Sequence, residues 1–181
     1  MNIFYLNDDP VKCAQDHCDK HVVKMIIEYA QLMSTAHRML DGEVYEDRTK
    51  NNRRIKRWLL HDDREHILYK ASHINHPSAI WARQSTDNYQ WLYQLFTSLC
   101  DEYTHRYGKV HKTDTLLRTK LSEIPTFMRA KVLTEVPQAM PDYCKMPRAI
   151  DAYRNYYIKE KVNFAKWTKR MTPEWFKNAV L

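Results

Sequence analysis

Residues 16–38, DHCDKHVVKMIIEYAQLMSTAHR, constrain the fold of this chain more than any other stretch. Val22, Met25, Ile26, Tyr29, Ala30, Leu32, Met33 and Ala36 recur at the 3.6-residue period of a helix with one buried face. A helix that apolar has to be covered by others, so the core is expected to assemble around it. Set into or beside the face are His17, Asp19, His21, Lys24, Glu28 and His37, groups able to move or stabilise charge. His17, His21, Lys24 and Glu28 follow spacings of four, three and four, which lines them along one side. The pattern reaches back to Pro10, a residue suited to a first helical turn, with Asp8 and Asp9 as caps. It runs forward to about Leu40, where Asp41-Gly42 stops it. Unbroken, it would span roughly 45 Å, and a kink is expected near His17 to Asp19.

The chain holds only two glycines, Gly42 and Gly108, which argues against a sheet-rich fold. The same scarcity excludes a Gly-rich phosphate loop, and with it the P-loop and dinucleotide-binding classes. The opening MNIFYL alternates its side chains and reads as a short strand or an extended arm. Between residues 58 and 72 apolar and charged residues alternate with weak helical character. His61 and His66 in HDDREH lie five apart and would face different directions on a helix, so no metal is expected there. Asn75-His76-Pro77-Ser78 reads as a turn into a helix, and Ser85 or Thr86 starts another. Tyr89, Leu92, Leu95, Phe96, Leu99, Cys100 and Tyr103 form that second helix's apolar stripe, and Gly108 supplies its stop. A further helix is expected from Thr113 to Glu123, and a last one from Pro147 to about Lys161. Prolines 125, 137, 141 and 147 punctuate a long irregular connection between them, a kind of segment that is usually functional or mobile. The reading is a compact all-α fold, one domain over residues 1–181, with a short extended N-terminal arm and a basic aromatic tail at about 162–181.

Lys and Arg number 29 against 22 Asp and Glu, a formal charge of +7 that favours an anionic partner, nucleic acid first. Two segments concentrate the charge. From Arg48 to Arg57 there are six basic residues and no acid; such a run is ordinarily a solvated, mobile surface, and Arg53, Arg54 and Arg57 are its candidate phosphate contacts. In the tail, Lys166, Lys169 and Arg170 interleave with Trp167, Trp175 and Phe176. Charge to track phosphate and rings to stack on bases suit a nucleic-acid groove; rings docked on the core with charges outward fit the same pattern. His76 and Arg83 are further candidate DNA contacts. Cys13, Cys18, Cys100 and Cys144 form no CxxC pair and read as reduced thiols of a cytoplasmic protein. No apolar run approaches membrane-spanning length, and no cofactor is expected.

One family fits several of these residues together. Cys18-Asp19-Lys20-His21, with Glu28 seven residues beyond His21, resembles the Ala-Asp-Gln-His motif and catalytic Glu of the phage-type pyrimidine-dimer DNA glycosylases, the endonuclease V fold. Asn75-His76-Pro77-Ser78 followed by a helix ending in DEYTHRYG is similar in layout to the family's central helix, and the aromatic, basic C-terminus is a looser likeness. The resemblance implies an all-helical enzyme, phage-encoded and acting in the host cytoplasm. It would work as a monomer, flipping a damaged or modified base from double-stranded DNA and cutting its bond to the sugar. It makes Glu28 the catalytic carboxylate and places His21 in the active site. The family's bifunctional members attack the sugar C1′ with the α-amine of a small second residue, exposed by removal of Met. Here the second residue is Asn2, too large for that removal to be expected, so Met1 would supply the amine. α-Amines titrate near 8 and lysines near about 10.4, which favours the former as nucleophile; Lys24, beside Glu28, is the alternative. A monofunctional enzyme needs neither, Glu28 then stabilising charge on the sugar or orienting water.

Three other classes fit the same residues. A transferase acting on modified DNA bases would use the same pocket without cutting the sugar bond. A metal-dependent hydrolase would use His17 and His21, without the glutamate of HExxH. A non-enzymatic binder of nucleic acid or nucleotide would use Glu28 and the histidines as contacts.

Overall fold

The computed structural model describes residues 1–180. Its helices are α1 (Pro10–Asp16), α2 (Asp19–Asp41), α3 (Arg64–Ile67), α4 (Pro77–Gln84), α5 (Thr86–Tyr107), α6 (Lys112–Leu121), α7 (Ala149–Glu160) and α8 (Glu174–Val180). Between α2 and α3 lie two strands, β1 (Glu43–Arg48) and β2 (Arg54–Leu59), paired antiparallel with Glu43 opposite Leu59 and Arg48 opposite Arg54. The fold is therefore mostly helical rather than purely all-α.

α2 is the axis of the molecule. Val22, Ile26, Tyr29, Ala30, Leu32, Met33 and Ala36 are fully buried, and α4, α5 and α6 pack against it. The expected kink is a break: α1 ends at Asp16, His17 and Cys18 are extended, and α2 begins at Asp19. Asp9 caps α1 through Val11 N–H at 2.8 Å, and Ser85 caps α5 through Asn88 N–H at 3.1 Å. Gly108, at φ 68°, closes α5 in the left-handed region that a glycine enters freely. Gly42 serves a different need: a Cβ there would meet the Arg38 carbonyl at 2.5 Å and Trp58 Cβ at 3.1 Å, so the hairpin can leave α2 only where no side chain intervenes.

Three sequence expectations need correction. The segment 43–59 forms a hairpin because its two strands pair along their whole length; both are largely exposed, so no apolar alternation announces them. The weak helix expected over 58–72 is a strand end, one four-residue helix and a loop. That loop is held by Arg38, whose fully buried guanidinium donates to the carbonyls of Trp58, Glu65, Leu68 and Tyr69 and to the Glu65 carboxylate. The tail also adds a helix, α8, that the sequence pattern does not reveal.

The irregular connection 122–148 is pinned rather than loose. Asn88 pairs with Thr134 through Nδ2 to Oγ1 at 2.9 Å and Thr134 N–H to Oδ1 at 2.9 Å, and Glu135 accepts from Ala149 N–H at the start of α7. Met128 and Val136 join the core.

The N-terminal arm is an extended segment without a partner strand. Its backbone groups, which burial would otherwise leave unpaired, are met by side chains. Phe4 N–H donates to Tyr29 Oη at 3.1 Å, Cys13 Sγ donates to the Phe4 carbonyl, and Arg154 Nε donates to the Leu6 carbonyl at 2.9 Å. Ile3, Phe4 and Leu6 are buried.

Candidate active site

The arm lies along α2. Phe4 stacks on His21 with ring centroids 4.2 Å apart, and the α-ammonium of Met1 reaches Glu28 Oε2 at 3.7 Å. Seven helical residues rise about 10.5 Å, and three extended residues span about 10 Å. The distance from Phe4 to Met1 therefore matches that from His21 to Glu28. Lys24 Nζ, one helical turn before Glu28, contacts the other carboxylate oxygen at 3.3 Å. Glu28 thus sits between two amines, its side chain 16% exposed. The Met1 side chain is 5% exposed and the Lys24 side chain 69%, so the residue bearing the α-amine is packed on the fold while the ε-amine is held on a solvated side chain.

A chain of hydrogen bonds fixes the arm's position. His17 Nδ1 lies 2.7 Å from the Cys13 carbonyl and must donate to it, which leaves Nε2 to accept from Tyr29 Oη–H at 2.8 Å. Tyr29 Oη in turn accepts from Phe4 N–H. His17 is fully buried, and burial pushes its pKa down to about 4, so the neutral ring this chain requires is the stable one.

His21 does not touch Glu28. Its Nδ1 pairs with Tyr157 Oη, which also accepts from Cys18 N–H. Burial, followed by the nearby His17, Lys161 and Lys24, drives its pKa down to about 2. His21 is accordingly held neutral, with Phe4 stacked on its ring.

His76 caps α4 by accepting Ser78 N–H at Nδ1, 3.2 Å away, so its proton is on Nε2. Burial, the N-terminal ammonium and His73 hold its pKa down, and Glu28 opposes them. These influences place His76 in the electrostatic surroundings of Glu28 and Met1, with His73 beside His76. His73 escaped the sequence reading because it stands in an irregular loop, where no spacing relates it to α2.

The family model described as pyrimidine dimer DNA glycosylase matches residues 1–116. The chain belongs to that family. Membership makes DNA the partner and DNA-repair base excision the family's chemistry. The matched residues of this pyrimidine dimer DNA glycosylase family member carry Met1, His21, Lys24, Glu28 and His76, while Arg154 and Tyr157, which hold the arm and His21, lie outside them. No match was found among curated proteins or among solved structures.

The remaining candidate DNA contacts divide by environment. Arg53 and Arg54 are exposed at the hairpin tip, whereas Arg57 lies 3.6 Å from Asp47. Arg83 on α4 is half-buried, burial lowers its pKa, and its Nη1 is enclosed without a hydrogen-bond partner among the described residues. In the tail, docking on the core prevails over an open stacking surface. Trp167 is buried, its Nε1–H donates to the Asp16 carbonyl at 2.9 Å, and its ring packs on Phe176. Arg170 is bound to the Glu102 carboxylate, itself shared with the buried Arg106. Lys166 is exposed, its carbonyl accepting from Asp19 N–H, and Lys169 Nζ reaches the His105 carbonyl at 3.3 Å. Trp167 therefore has no free face for a base, and Arg170 is engaged within the fold. Among the described residues, no three His, Cys, Asp or Glu side chains converge as a metal site.

Proposed function

We propose that this protein excises a damaged or modified base from double-stranded DNA, with the α-amine of Met1 as nucleophile and Glu28 as its proton partner. The observation that carries this reading is the 3.7 Å separation between that amine and Glu28 Oε2, at the end of the arm that lies along α2. The neutral amine adds to C1′ of a flipped nucleotide as the C1′–N bond breaks, the base leaving with the bond's electron pair and taking up a proton. The nitrogen gives up a proton to Glu28, and opening of the C1′–O4′ bond, with O4′ protonated, leaves an imine between Met1 and the sugar. Removal of a C2′ proton then expels the 3′ phosphate, the lyase step. Lys24 Nζ holds the other carboxylate oxygen at 3.3 Å, leaving Oε2 turned to the amine. His76 offers an Nε2–H donor.

The test is borohydride trapping with oligonucleotide duplexes bearing pyrimidine dimers or modified bases. The wild-type protein should form a covalent adduct that peptide mapping places on Met1. Glu28→Gln should lose about 10²–10⁴-fold in excision rate while retaining DNA affinity. An adduct mapped to Lys24 would refute the amine assignment, and unchanged turnover in Glu28→Gln would refute the role of the carboxylate.

A further inference from the structure

The β1–β2 hairpin takes almost no part in the core, yet it is built to hold its shape. An isolated two-stranded hairpin is marginal in water. This one is clamped at its base by the buried Arg38, which donates to the Trp58 carbonyl at 2.9 Å, and by the side-chain-free approach at Gly42. Its tip is also ordered: Thr49 N–H donates to the Arg53 carbonyl, Asn52 N–H donates to the Thr49 carbonyl, and Asn52 takes the left-handed conformation at φ 59° that closes a short hairpin loop.

Charge is segregated along this ribbon. Glu43, Glu46 and Asp47 all lie on β1 before the tip, and Asp47 is matched by Arg57. From residue 48 to 54 there are four cations, Arg48, Lys50, Arg53 and Arg54, and no acid. Arg48 and Arg54 stand directly opposite each other across the strands, an arrangement of like charges that weakens a hairpin. Arg48 is tied to Asn52 Oδ1 at 2.9 Å, and Arg54 has no ion pair among the described residues. An anion bridging the pair would convert the repulsion into attraction. The tip has no apolar side chain to enter a lipid surface, and a two-stranded ribbon has the width that a duplex groove admits.

We propose that the β1–β2 ribbon is a DNA arm that enters a groove of the duplex flanking the target base, its tip cations neutralising backbone phosphates. The proposal rests on the base-excision reading only for its partner, double-stranded DNA. Its reach fits. Gly42 is fourteen residues beyond Glu28, about 21 Å along α2, and six-residue strands add about 20 Å, a path of at most about 41 Å that puts phosphates within about one helical turn of the excised base in range of the tip.

The test compares wild type with the triple variant Lys50→Ser, Arg53→Ser, Arg54→Ser on undamaged duplex of about two turns, measuring affinity as a function of salt. Loss of three phosphate contacts should lower the slope of log K against log salt by about 2.7. Equivalently, the affinity advantage of wild type should shrink about 40-fold between 0.05 and 0.2 M salt. Lys50→Ser alone, at the loop apex where folding is least affected, should lower the slope by about 0.9. Equal slopes would overturn the proposal. So would an equal loss on single-stranded DNA of the same length, which would mean that the tip follows one strand rather than entering a groove. Because the duplex is undamaged, the result stands even if no base is excised, whereas failure of the excision reading would show only in the trapping assay.

Discussion

Replacing Tyr29 by Phe tests how the fold places the proposed nucleophile. The hydroxyl is fully buried and serves two partners, Phe4 N–H at 3.1 Å and His17 Nε2 at 2.8 Å, neither of which has another partner on the same atom. Leaving a buried polar group unpaired costs about 1–3 kcal/mol, so the loss should total about 2–4 kcal/mol after allowance for the hydroxyl's own removal. For a chain of this length that is a fall in Tm of about 4–16 °C. The effect on function should be larger than the effect on stability suggests. Phe4 N–H is the arm's hydrogen bond to α2, three residues from the α-amine, and about 1 Å of misplacement in a reacting group can cost about 100-fold. Single-turnover borohydride trapping should therefore fall about 10- to 100-fold, with DNA affinity within about twofold. Tyr89→Phe is the control. Its hydroxyl likewise joins a buried histidine, His37 at 2.8 Å, to a carbonyl, that of Leu121 at 2.9 Å, and no part of the arm depends on it. It should lower Tm comparably and leave the trapping rate of the folded protein unchanged. Equal trapping losses in the two variants, or none in Tyr29→Phe, would refute the link between the arm and the amine.

Acid should destabilise this protein early. His17 and His37 are held near pKa 4 and His21 near 2, all by burial, against 6.5 unfolded. Between these values the unfolded chain binds more protons, so stability falls as pH falls. The slope approaches about 4 kcal/mol per unit just below pH 6, and urea unfolding at pH 5.5 should show about 4 kcal/mol less stability than at pH 7.5; a difference under about 1 kcal/mol would contradict neutral buried rings. Arg38→Met should cost about 3–5 kcal/mol, because it leaves four buried carbonyls without their donor and removes one of the Glu65 carboxylate's partners, Lys70 and Leu60 N–H remaining. It should also speed hydrogen exchange in β2, and unchanged exchange there would show that the clamp is not what holds the ribbon.

What the sequence made legible follows from where each signal resides. α2 and α5 are long, with one apolar stripe each and caps within a few residues, so local pattern and tertiary role coincide. The hairpin was hidden because its residues answer to no buried face: β1 is exposed at every position. Arg38 was hidden because a guanidinium on a helix reads as solvent-facing, although here it fills the space under a loop and supplies the donors that loop's carbonyls need. In the tail, alternating charge and aromatic residues fitted two packings equally well. The structure chose between them through Trp167 and Phe176, whose rings close the core, and through Glu102, which binds Arg170. Glu28 was legible because its spacing from His21 is a local quantity. The approach of Met1 was not, since the arm's course is set by Tyr29, Cys13 and Arg154, up to 148 residues distant from it.

That last dependence bears on how the site is assembled. The residues that would react, Met1 and Glu28, and the residues that align them, His17, His21 and Tyr29, all fall within the stretch the family model matches. The arm is nonetheless held from its other side by α7: Arg154 binds the Leu6 carbonyl, Tyr153 packs edge-on to Phe4, and Tyr157 hydrogen-bonds the His21 ring on which Phe4 stacks. An N-terminal segment without a strand partner has no backbone ladder to fix its register. A one-residue slip would carry the amine about 3.4 Å along α2, a displacement as large as its present separation from Glu28. Clamping the arm between α2 and α7 removes that freedom. In the proposed chemistry the C-terminal third would therefore act through the position of residue 1.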